Sequence, residues 1–572
     1  MKSVKSSPTH LLTKSGEELQ KKSPACPWNH YPRPQFRRDS FLCLNGEWEF
    51  SAEGVMEDGR ILVPYPPESL LSGICRDMGE SPKLRYRKRF SLPAGFVKDR
   101  VLLHFGAVDQ IATVRLNGRV IGSHRGGYHA FSLDVTDALA EENLLEVLVE
   151  DHLEDGILPW GKQRRRRGGM WYTPVSGIWQ TVWMESLPKD PIPPFKIRVD
   201  LTSAEIFAPG VEQGSLTVQT PEGTLSFSME QGYARMEIPQ PRLWSPEDPY
   251  LYHFSLTTAT DEVHSYFALR TVECKTVNGI PRICLNGKPY FFHGLLDQGY
   301  FSDGIYTPAS PECYGEEILA MKNLGFNMLR KHIKVEPEQF YYDCDRYGMI
   351  VFQDMVNNGR YSFLRDTALP TVGLQRLSDK RLHRDPATRA AFIEGMERTV
   401  EQLYNHPCIC YWTIFNEGWG QFEGSEQYRH LRALDSSRVI DTASGWFSGV
   451  ESDVESRHVY FKPFRWKDAP RPVVLSEFGG YAYKTAGHVF QPDKEYGYRH
   501  FEDRREYEDA LVTLYEQEIL PAIPKGLCAA VYTQVSDVED ETNGLLTYDR
   551  KVCKVTPYTM QRLAQKLYEQ MK

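Results

Sequence analysis

The sequence predicts a multidomain protein in which two β-sandwiches precede a (β/α)8 barrel, also called a TIM barrel. Three observations support this: short alternating strands over residues 31–190, a second strand-rich segment over residues 191–275, and apolar strands alternating with amphipathic helices over residues 276–572. A chain of 572 residues has room for roughly three or four domains of about 150 residues each. Residues 1–30 are interpreted as an N-terminal extension.

Turn-forming residues separate the short strands of the first segment. Strands are predicted at residues 44–50, 101–105 and 112–118, with Gly, Asn, Asp and Pro between them, which is typical of a β-sandwich. A stiff linker is then indicated by four prolines: Pro188, Pro191, Pro193 and Pro194. The strands that follow span about 80 residues, enough for a small immunoglobulin-like sandwich.

The last segment has the alternating pattern of a barrel. Eight strands are predicted at residues 290–296, 327–333, 349–355, 408–416, 439–446, 458–461, 473–478 and 527–536. Helical spacing of apolar residues occurs between them at residues 316–324, 338–347, 386–404 and 507–520. Eight βα units predict a closed barrel, whose active site would lie at the C-terminal ends of the strands.

Composition excludes several classes of protein. The formal net charge of −9 gives no reason to expect attraction to nucleic acid or to an anionic membrane. No run of about 18 apolar residues occurs, which excludes a transmembrane helix. Residues 1–32 lack the apolar region of an ordinary signal peptide, and the 11 cysteines lack the spacing of a disulfide or zinc framework. A cytoplasmic protein with reduced thiols is therefore predicted.

Two apolar, strand-like segments each lead into a glutamate. Residues 412–420 place Glu417 at the exit of the fourth predicted strand, and residues 473–480 place Glu477 at the exit of the seventh. Strands four and seven face each other across a closed barrel, so the carboxylates can meet. About 5 to 5.5 Å apart, one would attack the anomeric carbon of a sugar while the other protonates the leaving oxygen. The alternative, a pair of surface or capping glutamates, is disfavoured by the apolar strand exits.

Motifs along nearly the whole chain resemble those of glycoside hydrolase family 2, the family of β-galactosidases, β-glucuronidases and β-mannosidases. They occur in the family's order at residues 44–50, 104–109, 176–179, 243–252, 326–330, 416–417 and 476–479. The resemblance implies a sugar-binding jelly-roll domain, an immunoglobulin-like domain and a catalytic barrel.

Carried over residue by residue, the resemblance assigns roles within the barrel. It implies that Glu417 is the acid/base, that Glu477 is the nucleophile, and that Asn416 hydrogen-bonds the sugar 2-hydroxyl. Arg330 would keep the nucleophile ionised, because a guanidinium lowers the pKa of a neighbouring carboxylate. Tyr460 would hydrogen-bond the nucleophile. The alternatives are an ordinary ion pair for Arg330 and simple packing for Tyr460.

Further sugar contacts are predicted at the barrel rim. Polar candidates that follow strands one, two and three and the nucleophile loop are Asp297, His332, Asp354 and His488. Trp446, at the end of strand five, is a candidate platform for stacking on a sugar ring. Each could equally support the site without touching the sugar, since position alone does not show where a side chain points.

Three features depart from better-known family members. Tyr532 stands near the end of strand eight, where many relatives supply a tryptophan that floors the sugar site. The loop at residues 161–169 lacks the acidic residue of some β-galactosidases, and its four arginines are interpreted as solvated, although they could meet an acidic substrate. Members that bind a uronic carboxylate carry an Asn and, two positions later, a Lys. Here Asn543 is present, and Leu545 stands in place of the Lys.

No cofactor is predicted from the sequence. The acidic run at residues 537–541 lacks the ligand spacing of a calcium loop and is interpreted as solvated. The resemblance would allow bound magnesium or sodium, but the magnesium ligands of some family members are not clearly reproduced around Asp354.

The predicted function is that of an exo-acting β-glycosidase that works by double displacement. A β-galactosidase is the first interpretation, and a β-glucuronidase or related uronidase is the alternative. A catalytically silent carbohydrate-binding protein is disfavoured, because a pure binder would not need both carboxylates. A carbohydrate substrate is expected, with no nucleic acid or membrane partner, and the resemblance implies a homo-oligomer.

Overall fold

A jelly-roll β-sandwich forms the N-terminal part of the molecule. The computed structural model describes residues 9–369 and 379–571. One antiparallel sheet contains, in spatial order, Leu42–Cys43, Val182–Leu187, Arg100–Phe105 and Phe131–Asp134. The other contains Met56–Val63, Gly46–Ala52, Lys83–Phe90, Asn143–Glu150, Ile111–Leu116 and Arg119–Arg125. Side chains alternate between buried and exposed along these strands, so that Trp48, Phe50 and Tyr86 share one core.

An immunoglobulin-like sandwich follows. Its antiparallel strands are Lys196–Val199, Ser203–Phe207, Tyr233–Glu237, Gly223–Glu230, Gln213–Thr220, Tyr252–Thr257 and Glu262–Phe267, in spatial order. Arg270, just after the last strand, donates hydrogen bonds to the carbonyl oxygens of Pro407 and Ile409 at 2.9 and 2.8 Å. Trp244 donates its indole N–H to the carbonyl oxygen of Asp345 at 2.8 Å. Both contacts attach this sandwich to the barrel.

Eight parallel strands form the barrel, labelled in chain order. They are β1 (Phe292–Asp297), β2 (Met328–Lys331), β3 (Ile350–Asp354), β4 (Ile409–Asn416), β5 (Val439–Ser444), β6 (Glu455–Val459), β7 (Val473–Gly479) and β8 (Leu527–Thr533). Their spatial order is β5-β4-β3-β2-β1-β8-β7-β6. Side chains join β5 to β6, where Ser444 Oγ lies 3.2 Å from Ser456 Oγ and 3.0 Å from His458 Nε2. All eight predicted strands are confirmed, with shifted ends.

Among the described residues, six α-helices surround this barrel. They are α1 (Glu312–Asn323), α2 (Glu338–Tyr347), α3 (Pro386–Leu403), α4 (Gly424–Leu434), α5 (Arg504–Leu514) and α6 (Pro557–Glu569). The expectation of eight complete βα units is wrong in detail, because the described residues 445–454 and 460–472 connect β5 to β6 and β6 to β7 without a helix. The first connection is short, and the second contains Pro463, Pro470 and Pro472, which disfavour a helix interior.

Shorter elements complete the fold. The remaining strands are Val108–Asp109, Gly177–Ile178, Val272–Val277, Ile280–Leu285, Lys288–Pro289, Tyr481–Tyr483 and Arg499–Phe501. The remaining helical segments are Lys14–Lys22, Thr136–Ala138, Leu153–Asp155, Leu364–Ala368, Asp379–Arg381, Tyr515–Ile519 and Leu520–Lys525. Within the part of the chain that the structure describes, none of the helices combines the length and apolar character needed to cross a lipid bilayer. The domain boundaries after residues 30, 190 and 275 stay predictions.

Two charged segments that the sequence suggested were solvated are packed against each other. Residues 537–541 are buried throughout. Arg167, from the arginine-rich loop, lies 3.3 Å from the carboxylate of Glu539, and Arg165 lies 3.6 Å from that of Asp151. Interpreting the acidic run as solvated was therefore wrong, and three of the four arginines are only partly exposed, the exception being Arg166. Arg167 and Glu539, which are 372 positions apart, neutralise each other on folding.

A buried ion pair holds the acidic run in place and gives a stability prediction. Lys554 Nζ lies 2.6 Å from Asp537 Oδ1, and both side chains are almost inaccessible. Replacing Lys554 with Met should lower the free energy of unfolding by about 3–5 kcal/mol, because it leaves a buried carboxylate unpaired. Thermal unfolding followed by circular dichroism measures the effect. The matched control is Lys566→Met, which removes a half-exposed partner of Glu516 and should change little; equal unfolding midpoints for the two variants would contradict the prediction.

Candidate active site

Two glutamates converge at the C-terminal mouth of the barrel. Glu417 directly follows β4 and Glu477 lies in β7. An oxygen of each carboxylate lies within 4.8 Å of an oxygen of the other. Glu477 is buried, and the side chain of Glu417 is 14% exposed. This separation is near the 5 to 5.5 Å of retaining glycosidases and well below the 6.5–9.5 Å of inverting enzymes.

The backbone at the β4 exit is bent sharply to present Glu417. Its φ of +51° is in the left-handed region, which is uncommon for a residue with a side chain. Its N–H donates to the carbonyl oxygen of Ser444 at 2.9 Å, tying the turn to β5. Gly418 also has a positive φ, and a Cβ there would lie 2.3 Å from the ring of Phe447. The Asn-Glu-Gly sequence therefore fits a tight turn against the next strand.

Arg330, at the centre of the site, contacts three elements at once. Its guanidinium donates to Glu477 Oε1 at 3.0 Å, to Asn416 Oδ1 at 2.9 Å and to Asp354 Oδ1 at 3.0 Å. The side chain is 1% exposed. His332, two residues along and on the same face, places Nδ1 2.8 Å from the other Asp354 oxygen. Arg330, Asn416, Asp354 and His332 are thus brought together around the glutamates.

A histidine that the sequence analysis missed lies between the two glutamates. His458 Nδ1 is 2.9 Å from Glu417 Oε1 and 3.5 Å from Glu477 Oε2. Its Nε2 lies 3.0 Å from Ser444 Oγ, which fixes the ring. Gly445 makes room for it, since a Cβ there would lie 2.7 Å from the imidazole. The parallel register pairs His458 with Glu477, a proximity that single-strand patterns do not reveal.

Aromatic side chains bound the site near β6 and β8. Tyr460 donates its hydroxyl to Glu477 Oε2 at 2.5 Å and lies 2.9 Å from Thr533 Oγ1. Its ring stacks on Tyr498, with centroids 3.8 Å apart. Trp446 lies beside the pair, its ring centroid 5.9 Å from that of His458. Thr533 and Tyr498 are further site residues that the sequence analysis missed.

The charges around Glu477 determine its protonation. Burial raises the pKa of this carboxyl, but His458, Arg330 and His332, together with the Tyr460 hydroxyl, outweigh burial and lower the pKa to about 2. Glu477 is therefore an anion at neutral pH. Because the folded-state pKa lies below the ordinary value of 4.5, the ionised group stabilises the fold above that pH, and the stabilisation is lost as the pH falls toward 2.

Four predicted site residues have protein partners other than the two glutamates. Asp297 points away from the barrel interior and pairs with Lys331 at 2.7 Å, because alternate residues of a strand face opposite sides. Tyr532 likewise faces the helices, packed between Phe478 and Tyr515, so it does not floor the site. His488 pairs with Asp549 at 2.7 Å. Asn543 accepts a hydrogen bond on Oδ1 from Gln534 Nε2 at 2.8 Å, and nothing among the described residues accepts one from its buried Nδ2.

A loop of the jelly-roll sandwich covers one side of the mouth. Trp160 donates its backbone N–H to the carbonyl oxygen of Asn357, after β3, at 3.0 Å. Tyr172 donates its hydroxyl to Glu541, in the loop after β8. Between these anchors, the ring of Trp171 lies 5.2 Å from that of Trp419, two residues after Glu417. Residues 160–172 are called the covering loop here, and Trp171 of this loop forms part of the site's wall.

Several buried donors at the mouth have no acceptor. Among the described residues, nothing accepts a hydrogen bond from Asn416 Nδ2, Trp419 Nε1 or Trp446 Nε1. Buried polar groups in proteins are nearly always hydrogen-bonded, to protein or to ordered water. Asn416 precedes Glu417, Trp419 follows it by two residues and Trp446 lies beside His458, so the three donors are candidates for hydrogen bonds to a ligand that enters the site.

The geometry also bears on metal binding. Glu417, His458 and Glu477 offer ligand atoms that lie within 4.8 Å of one another. Asp354 is where some family members were expected to supply magnesium ligands. Here Arg330 and His332 contact its two carboxylate oxygens. Asp354 is therefore committed to protein partners, whereas Glu417, His458 and Glu477 are close enough together to hold a cation.

Comparison with known protein families now places the chain. The profile of "Glycosyl hydrolases family 2, TIM barrel domain" matches residues 279–570, about half of the 572 residues. "Glycosyl hydrolase 2 galactose-binding domain-like" matches residues 72–166, and "Glycosyl hydrolases family 2" matches residues 198–270. The chain belongs to glycosyl hydrolase family 2, and the predicted family and fold class are confirmed.

Named relatives are similar at low identity. A β-galactosidase of Aeromonas hydrophila is 26% identical over 471 residues, which cover 71% of this chain and 42% of that protein. A β-glucuronidase of Bacteroides fragilis is 24% identical over 449 residues, which cover 71% of this chain and 61% of that protein. The chain thus spans about half the length of these curated relatives.

Solved structures share the fold. A β-D-glucuronidase of Dictyoglomus thermophilum superposes with a TM-score of 0.72 at 18% identity, covering 94% of this chain and 98% of that one. A β-galacturonidase of Eisenbergiella tayi, bound to galacturonate, superposes with a TM-score of 0.67 at 19% identity, covering 94% and 99%. The likeness establishes the common architecture over nearly the whole chain.

Removing one hydroxyl tests the electrostatics of the site. Tyr460→Phe should raise the pKa of Glu477 by about one pH unit, because the ionised carboxylate loses a hydrogen-bond donor. The measurement is a pH titration of the ¹³C-labelled glutamate carboxyl, assigned with Glu477→Gln. Tyr498→Phe is the matched control, since it keeps the stacked ring pair and should leave the titration unchanged. An unaltered pKa of Glu477 in the Tyr460 variant would show that its hydroxyl does not hold the carboxylate.

Proposed function

We propose that this protein is a retaining exo-β-glycosidase that hydrolyses terminal β-glycosides by double displacement. The proposal rests mainly on one observation. Carboxylate oxygens of Glu417 and Glu477 lie within 4.8 Å of each other at the barrel mouth. At that separation both carboxylates can act on one anomeric carbon. There is no room for the water that an inverting enzyme holds between one carboxylate and the sugar. The low identity of the named relatives makes the activity a proposal for this chain.

In the first step, Glu477 attacks the anomeric carbon. The carboxylate is ionised, with a pKa lowered to about 2, and Arg330 and Tyr460 each bond a different oxygen, which orients it. Glu417 gives its proton to the leaving oxygen as the glycosidic bond breaks. The products are the free aglycone alcohol and a glycosyl ester on Glu477.

In the second step, Glu417 acts as a base. Its carboxylate takes a proton from a water molecule, the water oxygen bonds to the anomeric carbon, and the ester bond to Glu477 breaks. Two inversions give net retention of configuration. His458 is a positioning residue, whose Nδ1 lies 2.9 Å from a carboxylate oxygen of Glu417 and 3.5 Å from one of Glu477.

The unpaired donors fit a sugar in the site. Asn416 receives a hydrogen bond from Arg330 on its oxygen, which orients its free amide N–H groups toward the site, where a sugar 2-hydroxyl could accept one. Such a bond strengthens as the transition state forms. Trp446 and Trp419 offer further indole donors. The covering loop closes one side of the mouth, which favours binding of a chain end and hence exo action.

The glycone has two candidates from the named relatives. Galactosides are hydrolysed by proteins named β-galactosidase and glucuronides by those named β-glucuronidase, and both kinds match this chain at 24–26% identity. The silent carbohydrate-binding alternative is disfavoured, because an ionised glutamate held by an arginine and a tyrosine beside a second glutamate serves no evident binding purpose.

Location and assembly belong to the same proposal. All 11 cysteines are free thiols in the structure, and five of them are buried. This supports a reducing compartment, the cytoplasm, as first predicted. A homo-oligomer remains a proposal by analogy with multidomain family members.

A panel of aryl β-glycosides tests the activity. The wild-type protein should cleave at least one of the galactoside, glucuronide, glucoside, mannoside and arabinoside. Glu477→Gln should lower turnover of that substrate by at least about 10⁴-fold, because the nucleophile is lost. Glu397→Gln, the same change at a half-exposed residue of α3, should have no effect. Undiminished hydrolysis by the Glu477 variant would remove the nucleophile assignment.

Leaving-group dependence tests the acid. Glu417→Ala should lower kcat/KM by about 10²–10⁴-fold for glycosides whose aglycone is a poor leaving group and needs protonation. Dinitrophenyl glycosides, whose aglycone leaves as a stable anion, should lose far less. The comparison of kcat/KM values isolates the first step. An equal loss for both kinds of substrate would mean that Glu417 does not protonate the leaving oxygen.

A further inference from the structure

One buried lysine of the covering loop differs from the other buried lysines. Among the described residues, four lysines are buried: Lys162, Lys331, Lys334 and Lys554. The last three each have a carboxylate oxygen within 2.9 Å of Nζ. Lys162 is 6% exposed, and no carboxylate of the described residues lies within 4.0 Å of its ammonium. It is the exception among them.

The ammonium of Lys162 lies against aromatic faces instead. Its Nζ is 5.1 Å from the ring centroid of Trp419, 5.9 Å from that of Trp171 and 5.9 Å from that of Tyr172. Such cation–π contacts attract a cation but supply no hydrogen-bond acceptor and no neutralising charge. Three N–H donors are therefore left for another partner.

The position of Lys162 is at the sugar site. The adjacent Gly161 packs on the exit of β2, where a Cβ would lie 3.0 Å from the carbonyl oxygen of Ile333. The charge of Lys162 reaches two site groups: it reinforces the effect of burial in lowering the pKa of His332, and it opposes the burial that raises the pKa of Glu541. Lys162 thus lies between the exits of β2, β4 and β8.

The neighbouring arginines cannot take the same part. Arg165 and Arg167 face carboxylates of the protein, Arg164 lies over the rings of Trp160 and Trp171 at 4.6 and 5.0 Å, and Arg166 is exposed. The arginines hold the covering loop in place. Lys162 is the basic residue of this loop that lies at the sugar site.

A buried ammonium that no carboxylate contacts is only partly compensated, since Glu541 acts on Lys162 from beyond ion-pair distance. Removing an ammonium from water costs several kcal/mol unless an anion and hydrogen bonds compensate. A sugar hydroxyl would satisfy a donor but not the charge. A carboxylate carried by the substrate would satisfy both, through a charge-assisted hydrogen bond.

We propose that Lys162 is a specificity-determining residue that binds a carboxylate on the glycone, so that the substrate is a β-linked uronide. This rests on the proposed glycosidase function. The covering loop then supplies the cation that the sequence lacks at Leu545, two positions after Asn543. Uronides are preferred over the neutral sugars that differ only in carrying a hydroxymethyl group in place of the carboxylate.

Matched substrates test this preference. The aryl β-glucuronide and β-galacturonide are compared with the β-glucoside and β-galactoside, and the wild-type protein should cleave a uronide faster than its neutral partner. Lys162→Met should lower kcat/KM for the uronide by about 30- to 1,000-fold, the range for removing one partner of a buried charged contact. The neutral partner should change less than about threefold. Arg166→Met, at the exposed arginine of the same loop, should alter neither.

Stability and binding readouts separate recognition from structure. Lys162→Met should unfold at the same temperature as the wild type or higher, since it removes a buried ammonium that no carboxylate contacts. Lys331→Met should unfold at a lower temperature, because it removes the ion-pair partner of Asp297 and leaves Glu336 with Lys334 alone. In calorimetric titration, free glucuronate or galacturonate should bind the wild type and not Lys162→Met. These readouts do not depend on turnover.

The outcomes are distinguishable. Cleavage of neutral glycosides in preference to uronides, or an equal loss on both in Lys162→Met, would overturn the proposal while leaving the glycosidase function intact. Unchanged uronate binding by Lys162→Met would overturn it as well. Failure to cleave any aryl glycoside would instead contradict the proposed function, and the titration would still decide whether Lys162 binds a uronate.

Discussion

The buried guanidinium of Arg330 is the interaction on which the site depends. One side chain joins β2 to Asp354 of β3, Asn416 of β4 and Glu477 of β7. A buried cation requires compensating charge, which the carboxylates of Asp354 and Glu477 supply. The same contacts lower the pKa of Glu477 and orient Asn416, so electrostatic balance and catalytic geometry have one physical origin. A barrel that closed in another register would leave this charge unpaired.

The barrel and the covering loop of the jelly-roll sandwich contribute different parts of the site. The barrel fixes the reacting groups on rigid strand ends, where alternate residues point inward and are held by neighbouring strands. The covering loop is held from outside by arginines and by the buried acidic run after β8, and it brings aromatic faces and Lys162 to the mouth. Under the proposed function, the barrel supplies the chemistry and the loop supplies Lys162, the residue proposed to select the glycone.

Much of this architecture was predictable because the barrel strands are long apolar runs that end in polar residues. That pattern located all eight strands and placed Glu417 and Glu477 at strand exits. Side-chain direction was harder: one residue of offset turns Tyr532 toward the helices and Thr533 toward the site. His458 gave no signal, because its role arises from register pairing with Glu477. The acidic run looked solvated because its partners, such as Arg167, lie far away in sequence.

The central claim is that Glu417 and Glu477 act on one anomeric carbon from a separation suited to double displacement. The most direct test is proton NMR of the product during the first turnovers, before the released sugar mutarotates. Double displacement should release the β-anomer of the sugar first, which then equilibrates with the α-anomer. Initial formation of the α-anomer would show that water attacks directly, and it would contradict the nucleophilic role of Glu477.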